Sequence, residues 1–475
     1  MSETTNEFIK MTATQAVARL RSKEVSPLEL VEASIERIET VDTKVNALPI
    51  HCFEQARAQA KSLDVKAHAQ NSKSLCGLPI AVKDYNDLGG ALTTYGSPLF
   101  ANNVAEQSDA TVRQLENNGA IAVAKSNVPE WAGGHTFNPV NGTTLNPWDM
   151  RKSAGGSSGG SAAALASGSV WLATGNDLGG SLRTPAAFNG IVGLRPGPGR
   201  VPRGTRLPAM DTLWVEGPMA RNVPDLALML DAGVGQQIDD PLSFDHAGPS
   251  FVEALQKAEL PKRIAFSPDL GIVSMEKEIA QICSGAGSIF EGMGVDVTDD
   301  CLDFTGVLEA FQTLRAVLFA TLMEPILAKH REHIAPEIIG NIERGLNITP
   351  TQIFDAERVR IELYKKVMKF FETHDFLICP AASIAPFPVE QRYVTEIDGK
   401  VCETYIDWFS ITFALTMTAC PTMSVPCGFT SKGLPVGVQI MGKPRGEAAL
   451  LGAAKLFEEA TGISRKVPID PRIVG

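Results

Sequence analysis

Apolar and polar positions follow two rhythms along this chain, and the rhythm changes near residue 78. Before that point it is helical. Ser26-Pro27-Leu28-Glu29 lines up a cap residue, a proline for the first helical position and a Glu able to complete a capping box. Leu28, Val31, Ile35 and Ile38 follow at spacings of 3, 4 and 3, which makes one apolar stripe. Beyond residue 78, short apolar runs at 79–82, 121–124, 376–379 and 436–441 are separated by helix-length segments such as 109–119 and 446–461. That alternation predicts an α/β protein with helices packed on a largely internal sheet. The stretch 250–370 is richer in helical pattern and charge, notably at 309–333 and 351–374, and reads as a helical layer or lid. No fixed-period repeat and no long linker interrupts the pattern, so one large domain over 1–475 is expected.

Composition narrows the class without naming a function. Of 475 residues, 44% are hydrophobic and 20% charged, which excludes a disordered chain, a coiled coil or a collagen-like rod. Lys and Arg number 43 against 54 Asp and Glu, a net charge of −11. With no basic block, a broad surface for nucleic acid or anionic lipid is not expected. Two charge-free windows, 153–176 and 408–431, are broken by Gly, Pro and hydroxyl residues and read as buried core, not as membrane spans. The first residues lack a positive and apolar leader pattern, and the eight cysteines are scattered without C-x-x-C spacing. The expectation is a cytoplasmic protein with reduced thiols, no zinc site and no disulfide framework.

The compositional anomaly is the segment 153–200. It holds 12 glycines and only four charges, Asp177, Arg183, Arg195 and Arg200. A flexible linker would not carry Ala162-Ala163-Ala164-Leu165-Ala166 between its glycines. A phosphate-cradling loop would show G-x-x-x-x-G-K-[ST] or G-x-G-x-x-G, and neither occurs here. The remaining reading is tight turns around nucleophilic hydroxyls, with Ser157, Ser158 and Ser181 beside glycine pairs. A serine nucleophile needs a base. Of the seven histidines only His135, after Gly133-Gly134, approaches a suitable context, and a structural or substrate-facing role suits it better. G-x-S-x-G matches at 155–159 and 156–160, but the preceding Met150-Arg151-Lys152-Ser153-Ala154 is not the buried strand an elbow requires. A lysine kept neutral by burial is the other option. Lys83 closes the run Pro79-Ile80-Ala81-Val82 and fits that role, with a snorkelling surface lysine as the alternative.

At these residues the chain resembles the amidase signature family. Gly77-Leu78-Pro79-Ile80-Ala81-Val82-Lys83-Asp84 is similar to its lysine segment. Gly155-Gly156-Ser157-Ser158-Gly159-Gly160-Ser161 and Asp177-Leu178-Gly179-Gly180-Ser181-Leu182-Arg183-Thr184-Pro185 are similar to its serine- and glycine-rich signature. Asn146-Pro147-Trp148-Asp149, Gly190-Ile191-Val192-Gly193, Glu216-Gly217-Pro218-Met219-Ala220-Arg221 and Gly433-Leu434-Pro435-Val436 extend the resemblance over about 10–465. Asn189 and Gly197 depart from common family choices, outside the triad positions.

The resemblance implies a single α/β domain with a mixed central sheet flanked by helices on both faces. Its parts would be N-terminal helices at 10–75, the signature core at 76–230, the helical layer or lid at 250–370, and the rest of the sheet at 371–475. It implies amide hydrolysis through a seryl acyl-enzyme that needs no metal and no organic cofactor: Lys83 as base, Ser157 on a cis peptide as the bridging serine, Ser181 as nucleophile. The backbone at Leu178, Gly179, Gly180 and Ser181 would form the oxyanion hole, braced by Ser158, Asp177 and Arg183. Outside the signature, Trp131, Phe137, Trp214 and Trp408 are the expected pocket residues, alongside Phe311, Phe319 and Phe409, with few cations placed to meet a carboxylate. Such a lining favours neutral aryl or alkyl amides, with ester or carbamate cleavage as a side activity. The expected partner is a small-molecule amide, the expected assembly a homodimer. The competing reading is the glutaminase component of a tRNA-dependent amidotransferase, against which the sequence at 201–219 speaks.

Overall fold

Ser26 starts the first long helix in the way its neighbours dictate. Its hydroxyl accepts from the Glu29 N–H at 3.3 Å, and the Glu29 carboxylate accepts from the Ser26 N–H at 2.8 Å. The helix Pro27–Val45 then buries Leu30, Val31, Ile35 and Ile38 against the sheet, while Leu28 packs at the rim. The computed structural model describes residues 2–205 and 207–474.

Eleven of the described strands form one sheet. In chain order they are β1 (Ile50–His51), β2 (Pro79–Lys83), β3 (Ile121–Ser126), β4 (Leu172–Asp177), β5 (Val192–Arg195), β6 (Val215–Ala220), β7 (Arg263–Phe266), β8 (Asp296–Thr298), β9 (Phe376–Pro380), β10 (Thr422–Phe429) and β11 (Pro435–Met441). Their spatial order is β1-β3-β2-β4-β6-β5-β10-β11-β9-β7-β8. The sheet is mixed: β2 runs parallel to β3 and β4, whereas β6 is antiparallel to β4 and β5. Helices cover both faces, and the domain is single. Because β2 and β4 are parallel neighbours, their carboxyl ends emerge side by side and deliver Lys83 and Asp177 to the same edge. In open α/β sheets that edge is where ligands bind.

The glycine-rich segment is core. After Ser158 the helix Gly159–Ala166 is buried at every residue, and its alanines pack on Ile35, Ile38 and Ala124. A helix apolar on all sides has to be enclosed. The 250–370 segment differs from the expected helical layer. It contributes β7 and β8, a parallel pair at the sheet's far edge joined through the helix Lys277–Gly292, and helix follows helix without an intervening strand only from Val307. Strands of four and three residues carry too little alternation to stand out from the helical pattern around them. The Val307–His330 helix, together with the turn to His333, is long and apolar enough to cross a membrane, yet 61% of its most apolar window is buried inside the protein. It packs on Pro336–Leu346 and Pro350–Phe370 as a core helix.

Candidate active site

Lys83 is fully buried at the end of β2, where its Nζ meets three neutral oxygens: Ser157 Oγ at 2.8 Å, Ser158 Oγ at 2.7 Å and Asn176 Oδ1 at 2.6 Å. Its backbone N–H is held by Thr174 Oγ1 at 2.8 Å, which locks β2 to β4 just before the side chain leaves the sheet. Burial pulls the ammonium down to about 7, opposed by the charges of Glu216 and Asp177. The geometry suits the neutral form. An ammonium could only donate to all three oxygens, whereas an amine can donate to two and accept the Ser157 hydroxyl proton.

Ser157 follows a cis Gly156–Ser157 peptide. Only glycine fits before it, since a Cβ at Gly156 would stand 2.2 Å from the Gly134 carbonyl oxygen. Ser181 sits at the far side of the signature turn. It is partly exposed, lines a chamber of 20 Å³ with Gly156, Gly179, Gly180 and Thr184, and forms no hydrogen bond among the described residues. The structure thus brings Lys83, Ser157 and Ser158 into direct contact and places Ser181 in the adjoining chamber.

The turn carrying Ser181 is tied down by Asp177. Its carboxylate accepts from the Gly180 N–H at 2.8 Å and the Leu182 N–H at 3.2 Å, and takes Arg183 Nη2 and Nε, each at 3.0 Å. Burial by itself would raise this carboxyl, but Arg183 and Arg195 outweigh it and hold Asp177 down at about 2. Arg183 continues outward to the Thr412 carbonyl and Gln439 Oε1. One expectation changes here. The Gly180 N–H is committed to Asp177, so it is not a free donor for an oxyanion. The N–H groups of Leu178, Gly179 and Ser181 donate to no acceptor among the described residues. The turn spends one amide on its own shape, at a glycine whose backbone sits at φ +123°.

The expected pocket residues divide. Trp131 and Trp214 line a cavity of 320 Å³ with Tyr85, Phe319 and Met323, and Tyr85 also lies against Lys83 Nζ, 4.9 Å from its ring centroid. Phe137 lines a different cavity, of 450 Å³, under the Arg392 guanidinium. Trp408 lines none of these cavities. It is 2% exposed and packed among Phe188, Phe387 and Phe409, a core residue whose aromatic type could not announce its burial. His135 is likewise buried between Phe137 and Phe387, and burial pushes its imidazole down to about 4. Asn176 went unread in the sequence, as did Arg315, a buried cation that lines the Ser181 chamber. Asn176 could have been noticed from its place beside Asp177 at a strand end. Arg315 lies in an ordinary helical pattern and gave no signal.

A large mixed sheet with a lysine and two serines at one edge defines a hydrolase of the amidase type. A family model described as Amidase matches residues 29–451, and the chain belongs to that family of amidase signature enzymes. It is 33% identical to an acylamidase of Rhodococcus erythropolis, over 98% of each chain. It is 32% identical to a component of the glutamyl-tRNA(Gln) amidotransferase of Moorella thermoacetica, over 97% of this chain and 99% of that one. A bacterial aryl acylamidase crystal structure superimposes with a TM-score of 0.88 at 26% identity, over 97% of this chain and 99% of that one. The protein is an enzyme of amide hydrolysis.

Proposed function

We propose that this enzyme cleaves neutral aryl or alkyl amides through a seryl ester of Ser181. The observation that carries the reading is a fully buried lysine with no carboxylate in ion-pair contact among the described residues, 2.8 Å from a serine that adjoins the Ser181 chamber. Neutral Lys83 takes the Ser157 proton as Ser157 takes that of Ser181, and the Ser181 oxygen attacks the amide carbonyl. Negative charge then develops on the carbonyl oxygen and is met by free N–H groups among Leu178, Gly179 and Ser181; losing one such donor costs about 3–4 kcal/mol. Ser157 returns a proton to the leaving nitrogen as the C–N bond breaks, and Lys83 reprotonates Ser157. Water then attacks the ester, its proton passes back along the same relay, and the acid leaves.

The aromatic 320 Å³ cavity beside Lys83 supports an aryl or alkyl group on the substrate. The acylamidase and aryl acylamidase likenesses support the same substrate class. Ser181→Ala should abolish turnover, and a fluorophosphonate should label Ser181 in the unmodified enzyme. Hydrolysis that survives the substitution would reject the mechanism. The likeness to an amidotransferase component favours one alternative, a glutaminase that works within an assembly. Assaying the purified chain on glutamine and on anilides separates the two: glutamine should be the poorer substrate.

A further inference from the structure

A guanidinium taken out of water is costly unless a counter-charge meets it. Most of the buried arginines here follow that rule: Arg183 and Arg195 pair with Asp177, Arg200 with Glu447, and Arg203 with Asp211. Arg221 instead donates to the Ile9 and Met11 carbonyls at the end of a helix. Arg315 is different. It is 4% exposed and has no carboxylate partner among the described residues. One nitrogen donates to Asn341 Oδ1 at 2.8 Å and the other to the Tyr405 hydroxyl, while the Phe319 ring lies 4.7 Å from its carbon. Those two bonds use two of the five N–H donors a guanidinium carries.

Arg315 also lines the 20 Å³ chamber that holds Ser181. A second, independent feature of that chamber points the same way. Thr184 is 2% exposed, lines the same space, and its Oγ1 has no hydrogen-bond partner among the described residues. A donor-rich cation and an orphan hydroxyl therefore share a small enclosure with the nucleophile, where an apolar acyl group would leave both unmatched.

We propose that Arg315, supported by Thr184, is a specificity-determining residue that binds an sp² oxygen on a short acyl group, either a second carbonyl or a carboxylate. The proposal rests on Ser181 being the nucleophile, and a lead by the carboxylate would replace the neutral acyl group of the proposed substrate with a charged one. Volume restricts the class. The chamber is small, so the oxygen belongs on a short chain, at most about the length of a butyryl group.

The test compares kcat/KM for three anilides of similar acyl size: butyranilide, acetoacetanilide, which adds a ketone oxygen, and malonanilate, which adds a carboxylate. At least one oxygen-bearing anilide should exceed butyranilide tenfold, and which of them leads identifies the charge of the preferred oxygen. In Arg315→Gln that ratio should fall at least tenfold. Parity in the unmodified enzyme, or an undiminished ratio in the variant, overturns the proposal. Should Arg315→Gln fail to fold, inhibition of the unmodified enzyme decides instead. Acetoacetamide or malonamate should inhibit anilide hydrolysis at concentrations tenfold lower than butyramide, and equal inhibition overturns the proposal. Failure of the nucleophile assignment looks different: all three anilides would still be cleaved by Ser181→Ala.

Discussion

Two lysines lie near the ends of neighbouring strands of the same sheet, and their surroundings differ. Lys125 Nζ is fully buried but lies 3.0 Å from Asp84 Oδ1 and bonds the Asn86 carbonyl at 2.7 Å, so its charge is compensated. Lys83 meets only hydroxyls and an amide oxygen. With its ammonium pulled down to about 7 by burial, Lys83 is protonated below that pH and neutral above it, and the base role proposed for it requires the neutral amine. kcat/KM for an anilide should therefore rise through about pH 7 to a plateau. The neighbours offer opposing tests. Asn176→Asp places a carboxylate against Nζ, favours the ammonium, and should move the acid limb alkaline by about 1–3 pH units. Glu216 lies opposite Asn176 across β4 and β6, and its charge raises Lys83, so Glu216→Gln should move the same limb to lower pH. A pH–rate profile of the two variants checks both directions. Lys83→Ala should lose anilide cleavage more severely than cleavage of a nitrophenyl ester, whose leaving group needs no proton.

At the scale of elements, the decisive piece is the turn between β4 and the helix Arg183–Asn189. Its shape depends on one carboxylate serving two backbone amides and two guanidinium groups. Asp177→Asn would leave Arg183 and Arg195 buried without their counter-charge, and removing one partner of such a network costs about 3–5 kcal/mol. Thermal melts at pH 7 should show that loss together with loss of activity. The folded-state value for Asp177 lies below its ordinary 3.8, so its contribution is complete above about pH 4 and disappears as pH falls through about 2. The melting difference between variant and parent should narrow correspondingly in acid. Gly180 is the second fixed point. At φ +123°, and with a new Cβ at 2.2 Å from Thr412 Oγ1, Gly180→Ala should cost stability and displace the Ser181 turn. The expected observation is a lower melting temperature with kcat reduced more than KM.

At the scale of the whole molecule, the site is a junction between two spaces of unequal size. The 20 Å³ chamber faces Ser181, and the 320 Å³ aromatic cavity lies on the Lys83 side behind Tyr85. Residues from the region before β4, from β6 and from the Val307–His330 helix meet around the larger one. Trp131→Ala should lower kcat/KM for anilides about tenfold relative to short aliphatic amides, equivalent to about 1.4 kcal/mol of transition-state preference. Equal losses on both would place that cavity outside the substrate path.

Much of this was legible before the fold was known, for local reasons. A lysine ending an apolar strand run, glycines crowded around serines and a capping box at Ser26 are short-range patterns, and short-range sterics and hydrogen bonding act within a few residues. The fold class, the domain unity and the residues Lys83, Ser157 and Ser181 came from such patterns and from the family resemblance they support. Tertiary structure alone decided the rest. It set Trp408 in the core and Trp131 at a cavity, committed the Gly180 amide to Asp177, turned 263–266 and 296–298 into the last two strands of the sheet, and brought Arg315 to the chamber of Ser181 across more than a hundred residues of chain. Burial and partnership are properties of position in three dimensions, and a side chain's type does not state which neighbours the fold will bring to it.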